Sequence, residues 1–287
     1  MLDQASSLRK LVENNININC NMGKAKIITI TSGKGGVGKS NLVVNLAIGL
    51  QQEGKKVLIF DADIGMCNDD ILLGIFPKYN IYDLLLKDMN IEDIIVEGPL
   101  GIGLLSGGSG INKIEDLSQN QRSLFLSKLM SLDKYDYILM DTGAGISKNV
   151  MAFVAACDEL IITTTPEPTA LTDAYALLKA TKHYGLKEKA SVVVNKCFTE
   201  NEGYETFKKF KGASKKFLNV DLTFLGCVLD DKKLEEAVRE RTPVLIRYPS
   251  AKASRSIYAI GKNILGVPST NKKGVGDFFK KLFDIFA

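Results

Sequence analysis

Seven short apolar runs punctuate the chain, at 26–31, 56–60, 101–105, 135–140, 159–164, 190–195 and 222–229. Most are unbroken rather than alternating, which is how strands covered on both faces of a parallel sheet read. Between them lie stretches with helical spacing, at 42–54, 120–132, 171–184 and 232–241, the first closed by Gly54 as a C-terminal cap. This alternation predicts an α/β fold: a doubly wound, mostly parallel sheet with helices on both faces. The chain shows no internal repeat and no low-complexity segment.

Two ends fall outside that pattern. Residues 2–14 predict a short helix with Leu2, Leu8, Leu11 and Val12 partly on one face, followed by a linker at 14–23. At the other end a polar, glycine-containing stretch, 268–276, leads to a final segment, 277–287. On a helical wheel Ile285, Phe278, Leu282, Phe286, Phe279 and Phe283 form one continuous arc, and Asp277, Lys280, Lys281 and Asp284 fill the other. Such a helix is too short to span a bilayer but can lie in its interface, and pairing two copies strengthens attachment. The competing reading is a helix packed on the protein's own core. Both hold if the tail docks in a monomer and is released in a dimer. The expected division is therefore 1–23, 24–266 and 267–287.

Composition narrows the chemistry. The 287 residues are 45% hydrophobic with a net charge of +4, which excludes a disordered chain and argues against broad nucleic-acid binding. A single histidine, His183, excludes a histidine-rich metal centre and weakens any Ser/His or Cys/His scheme. Five cysteines (Cys20, Cys67, Cys157, Cys197, Cys227) lie far apart without a C-x-x-C pair, so neither a zinc site nor a redox dithiol is signalled. Scattered thiols suit a reducing cytoplasm. No apolar stretch reaches the roughly 18–20 residues of a membrane span. The N-terminus is too polar for a secretory signal. The expectation is a cytoplasmic protein whose chemistry relies on Lys, Asp and Gly.

The strongest signal lies directly after a strand and before a helix. Gly33, four residues, then Gly38-Lys39-Ser40 match the G-x-x-x-x-G-K-[ST] phosphate loop, which spans Gly33, Lys34, Gly35, Gly36, Val37, Gly38, Lys39, Ser40 and Asn41. Glycines let backbone N–H groups turn inward around phosphates, and the helix N-terminus adds its positive end. Lys39 is the candidate to neutralise β/γ oxygens, and Ser40 to hold Mg²⁺. The second run ends in Asp61 and Asp63, carboxylates at a strand's C-terminal end where open α/β sheets bind ligands. Because they alternate, both face the site only if the strand has already ended. The fourth run closes on Asp141, followed by Gly143, the arrangement in which a carboxylate holds Mg²⁺ beside a mobile switch.

The early lysine, Lys34, gives the loop the form K-G-G-x-G-K-[ST], which resembles the deviant Walker A loop of the MinD- and ParA-type ATPases. That resemblance implies that Lys34 reaches across a dimer interface to the partner's nucleotide. It also implies that Asp63 orients the attacking water and that Asp61 supports the magnesium region. Asn195 would contact adenine, Glu167 would meet the partner's ribose, and Asp173 would lie near the interface. The family's Val-Pro-x-Asp segment here reads Val228-Leu229-Asp230-Asp231, which keeps Asp231 near the base without the proline.

The N-terminal Asp3-Gln4-Ala5, with Leu8 and Arg9, is similar to an element of that family's flagellar members, and the resemblance covers essentially the whole chain. It implies an ATP-hydrolysing switch, dimeric with ATP and Mg²⁺, that sets flagellum number or placement. The N-terminal element would act on the GTPase FlhF, and the tail would hold the protein reversibly on the inner face of the membrane. A cell-division positioning ATPase and a ParA-type partition ATPase remain alternatives. For the latter Lys208, Lys209, Lys211, Lys215 and Lys216 would touch DNA phosphates, although they also read as the solvated face of a helix.

Overall fold

The computed structural model describes residues 25–63, 68–87, 89–108, 117–266, 272 and 274–286. The candidate partner element, with Asp3, Gln4, Ala5, Leu8 and Arg9, lies outside the described residues. Eight strands form one sheet: β1 (Lys26–Ser32), β2 (Val57–Ala62), β3 (Val96–Glu97), β4 (Gly103–Ser106), β5 (Tyr137–Ala144), β6 (Glu159–Thr164), β7 (Lys189–Cys197) and β8 (Asp221–Leu229). Their spatial order is β3-β4-β2-β5-β1-β6-β7-β8, parallel throughout except for the antiparallel pair β3 and β4. The doubly wound α/β expectation holds.

The unbroken apolar runs feed both faces at once. Ile28, Ile30, Ile59, Leu139, Ile161 and Val193 pack on one side with α1 (Lys39–Gln52). Ile27, Leu58, Phe60, Ile138, Ile162 and Val192 pack on the other. The remaining longer helices are α2 (Asp69–Leu73), α3 (Gln119–Leu129), α4 (Lys148–Ala156), α5 (Pro168–His183), α6 (Glu200–Phe217), α7 (Lys232–Arg239), α8 (Lys252–Gly266) and α9 (Gly274–Phe286). Helix α8 joins α1 on its face, whereas α4, α5, α6 and α9 cover the other. The lysines of α6 surround buried Phe207 and Phe210 on the helix's outer side, as the solvated-face reading expects.

The tail corrects one expectation. Helix α9 begins at Gly274, inside the stretch read as linker, and its apolar arc faces the core. Phe278, Phe279, Leu282, Phe283, Ile285 and Phe286 are each at most 4% exposed. Phe279 meets Phe60 and Phe125 edge-on at 6.2 and 5.9 Å, and Phe278 stacks on Phe153 at 6.2 Å. At about 1.5–3 kcal/mol for each large apolar side chain, this burial contributes on the order of 10 kcal/mol of gross transfer free energy. Segment 274–286 thus packs as part of the main body, and the residues expected at a membrane reach one only by leaving this seat. Among the described residues, no helix is long and apolar enough to cross a membrane.

Candidate nucleotide site

The phosphate loop joins the end of β1 to the start of α1 at the C-terminal edge of the central strands. Gly38, the residue before the helix, has φ 86°, and a Cβ there would stand 2.3 Å from Asn195 Nδ2. Only glycine fits both constraints. The loop is held from the end of β7. Asn195 Nδ2 donates to Val37 O at 2.8 Å, and Lys196 Nζ donates to Gly36 O at 2.8 Å. Drawing these carbonyls outward is the other half of turning the loop's N–H groups inward. Asn195, expected on the base, therefore also positions the loop. Lys196, with φ 56°, is a positioning residue that sequence reasoning passed over.

Strand order brings the carboxylates together. β2 and β5 are neighbours, and Asp61 and Asp141 are register partners across them. Strand β2 ends at Ala62, so Asp63 stands beyond it, as the alternation argument required. The Asp63 N–H donates to Asp61 Oδ1 at 3.1 Å, and Asp63 Oδ1 lies 3.2 Å from where a Cβ on Gly143 would stand. Lys39 Nζ pairs with Asp141 Oδ1 at 2.5 Å, and both side chains are buried. Burial, reinforced by the charge of Asp141, pushes Asp61 up to about 7. Burial also raises Asp63, against the opposing effect of Lys39.

Asp69, at the start of α2, joins this group. It is completely buried, its backbone N–H donates to Asp61, and neither of its carboxylate oxygens has a donor among the described residues. Burial first, then the charges of Asp141 and Asp61, hold it well above the usual carboxylate range. Ionising a carboxyl so placed is costly, so it keeps its proton unless a cation compensates the charge.

The donor set suits a hard divalent cation: the Ser40 hydroxyl, Asp61 and Asp141. Among the described residues no three Asp, Glu, His or Cys side chains converge into a closed metal cage. Mg²⁺ is held by one or two carboxylates together with phosphates and water. When bound it would supply positive charge against the developing charge on the phosphates, held by Ser40, Asp61 and Asp141.

Two more expected residues meet each other. Lys34 Nζ donates to Glu167 Oε2 at 3.3 Å and to Thr169 Oγ1 at 2.9 Å. Asp231 caps α7: Oδ1 accepts from Lys233 N at 2.9 Å, and Oδ2 accepts from Ala253 N at 3.2 Å. Its neighbour Asp230 donates its N–H to Cys197 O, which sets this loop beside the end of β7.

The AAA domain family matches residues 25–194. The chain is 33% identical over 260 residues to antiactivator FleN of Pseudomonas aeruginosa, covering 90% of this chain and 93% of that one. It is 36% identical over 291 aligned positions to the flagellum site-determining protein YlxH of Helicobacter pylori, covering 98% of each. Among solved structures, the septum site-determining protein MinD of Pyrococcus horikoshii, complexed with Mg-ADP, is similar with a TM-score of 0.67 at 25% identity, over 84% of this chain and 96% of that one. The phosphate loop, the paired carboxylates and these relatives agree on ATP with Mg²⁺ as cofactors and ATP hydrolysis as the chemistry. The chain belongs to the MinD/ParA-type ATPases with a deviant Walker A loop, together with the flagellar regulators FleN and YlxH.

Proposed function

We propose that the protein is an ATP-driven, dimerising switch that regulates flagellum number or placement. ATP pairs two copies, with Lys34 and Glu167 facing the partner's nucleotide. Asp63 orients the attacking water, and Asn195 and the Asp231 loop border the base. Pairing frees two α9 helices to bind the inner face of the membrane. The N-terminal Asp3-Gln4-Ala5 element, with Leu8 and Arg9, acts on the GTPase FlhF.

The observation that carries this reading is the direct packing between nucleotide switches and tail. Phe60, which meets Phe279 edge-on, immediately precedes Asp61. Phe153 of α4, which stacks on Phe278, follows the Asp141–Gly143 switch by one helix. A cavity of about 250 Å³ runs from Asp63 past Gly143 to Phe153, leaving room for these segments to move. The burial that seats α9 is largely recovered if the same side chains enter a bilayer interface, so a modest change at the switches can tip the balance.

The decisive test compares full-length protein with protein lacking residues 1–14 for co-purification with FlhF and stimulation of its GTP hydrolysis. Stimulation by the full chain alone is expected. Equal stimulation by both sinks the flagellar mechanism and favours a division-site role like that of MinD. Liposome sedimentation with ATP, using the Asp63→Ala protein to hold the ATP-bound form, tests tail release. Absence of vesicle binding there rules it out.

A further inference from the structure

Cys197 and Cys227, far apart in sequence, meet on adjacent strands. Register sets Val194 beside Cys227 and Cys197 beside Leu229, with an irregularity in β7 between them. Both sulfurs converge on one glycine of α6. A Cβ on Gly203 would stand 2.8 Å from Cys227 Sγ and 3.2 Å from Cys197 Sγ, so the separation of the sulfurs cannot exceed the sum of those distances. Both thiols are free; Cys197 is buried and Cys227 is half-buried. Cys227 lines a cavity of about 520 Å³ that also touches Glu200, Lys252 and Arg255, so a small oxidant can reach it. The closeness of the two thiols lowers Cys227 and raises Cys197, which makes Cys227 the better nucleophile.

We propose that Cys227 is a peroxide-reactive thiol, that Cys197 resolves it into a disulfide joining β7 to β8, and that this bond weakens ATP binding. The Cys227 thiolate attacks one oxygen of a hydroperoxide and the O–O bond breaks. The second oxygen leaves with a proton as water or alcohol, and Cys227 becomes a sulfenic acid. Cys197 then attacks that sulfur and expels water. Two thiols have lost two electrons and two protons, and the peroxide has taken them up.

The consequence follows from position. Asn195 and Lys196, which hold the carbonyls of Val37 and Gly36, immediately precede Cys197. The two cysteines stand out of register, and a disulfide needs its sulfurs about 2.05 Å apart. Closing it draws the end of β7 toward β8 and loosens at least one of those hydrogen bonds. Losing one corresponds to an affinity change of about fivefold.

The experiment treats purified protein with hydrogen peroxide, maps peptides without reduction, and measures binding of a fluorescent ATP analogue. A Cys197–Cys227 crosslink, about fivefold weaker binding and recovery with dithiothreitol are expected. Cys197→Ser should stop at a dimedone-trapped sulfenic acid on Cys227, and Cys227→Ser should keep its affinity through the treatment. Oxidation confined to Cys20, Cys67 or Cys157 overturns the proposal, as does a crosslink that leaves affinity unchanged. Mapping and affinity of the unmutated protein decide the matter even if the serine variants fail to fold.

Discussion

Lys34 and Glu167, the two residues that family resemblance sends across a dimer interface, hold each other within a single chain, with Nζ 3.3 Å from Oε2. Thr169 Oγ1 completes the contact at 2.9 Å. The side chains are 39% and 61% exposed, so the pair contributes only about 0–1 kcal/mol. It parks the lysine without locking it. Lys34→Ala should therefore abolish dimer formation with a non-hydrolysable ATP analogue while leaving analogue binding by the monomer within about threefold. Thr169→Ala should tighten the dimer by at most about fivefold. Sedimentation velocity reads both, and a Lys34→Ala dimer of parental strength would falsify the assignment.

Asp69 predicts an inverse effect, a variant more stable than its parent. Asp69→Asn removes a buried carboxylate that has no donor, a situation costing about 1–3 kcal/mol. Without nucleotide the melting temperature should rise by about 2–4 °C for each kcal/mol recovered. With Mg-ATP the gain should shrink, because the cation compensates the same charge in the parent. An unchanged melting temperature in both states would mean that Asp69 is already compensated.

Tail docking is tested by a cavity. Phe279 is 3% exposed and touches Phe60, Phe125 and Phe278. Phe279→Ala should cost about 3–5 kcal/mol of unfolding free energy in urea. If instead α9 spends most of its time away from the core, the loss will fall below about 1 kcal/mol.

Asp231 gives a pH signature. Burial pushes its carboxyl up, but the N–H groups of Lys233, Ala253 and Lys252 outweigh that and hold it below 3.8. A depressed folded-state value stabilises the protein above the unfolded value, and the benefit is lost as pH falls through the folded one. Asp231→Ala should destabilise by about 1–2 kcal/mol at pH 7 through the lost cap. That difference should persist down to about pH 4.5 and close only below 3.8. Urea titrations across this range measure it, and a gap already closed at pH 5.5 refutes the capping role.

The alternation of strands and helices, the phosphate loop, Asp61, Asp63 and Asp141 were all legible in the chain itself. Their signals are local: apolar runs bounded by turns, and glycine and lysine at fixed offsets beside them. Helix α4 was not legible, because Val150–Val154 are all buried and an unbroken apolar segment carries no period. Nor was α8 assigned in advance, and of α6 only the lysine-bearing face was read as helical. Three further matters were decided only by tertiary structure, since each depends on which distant segments become neighbours. The packing of α2 against the ends of β2 and β5 placed Asp69 beside Asp61 and Asp141. The register of β7 on β8 joined two thiols that sequence spacing had set apart. The arc of α9 was plain from its periodicity, but periodicity reports that a face is apolar and not what it meets. The sheet face beside Phe60 and Phe153 supplied the partner.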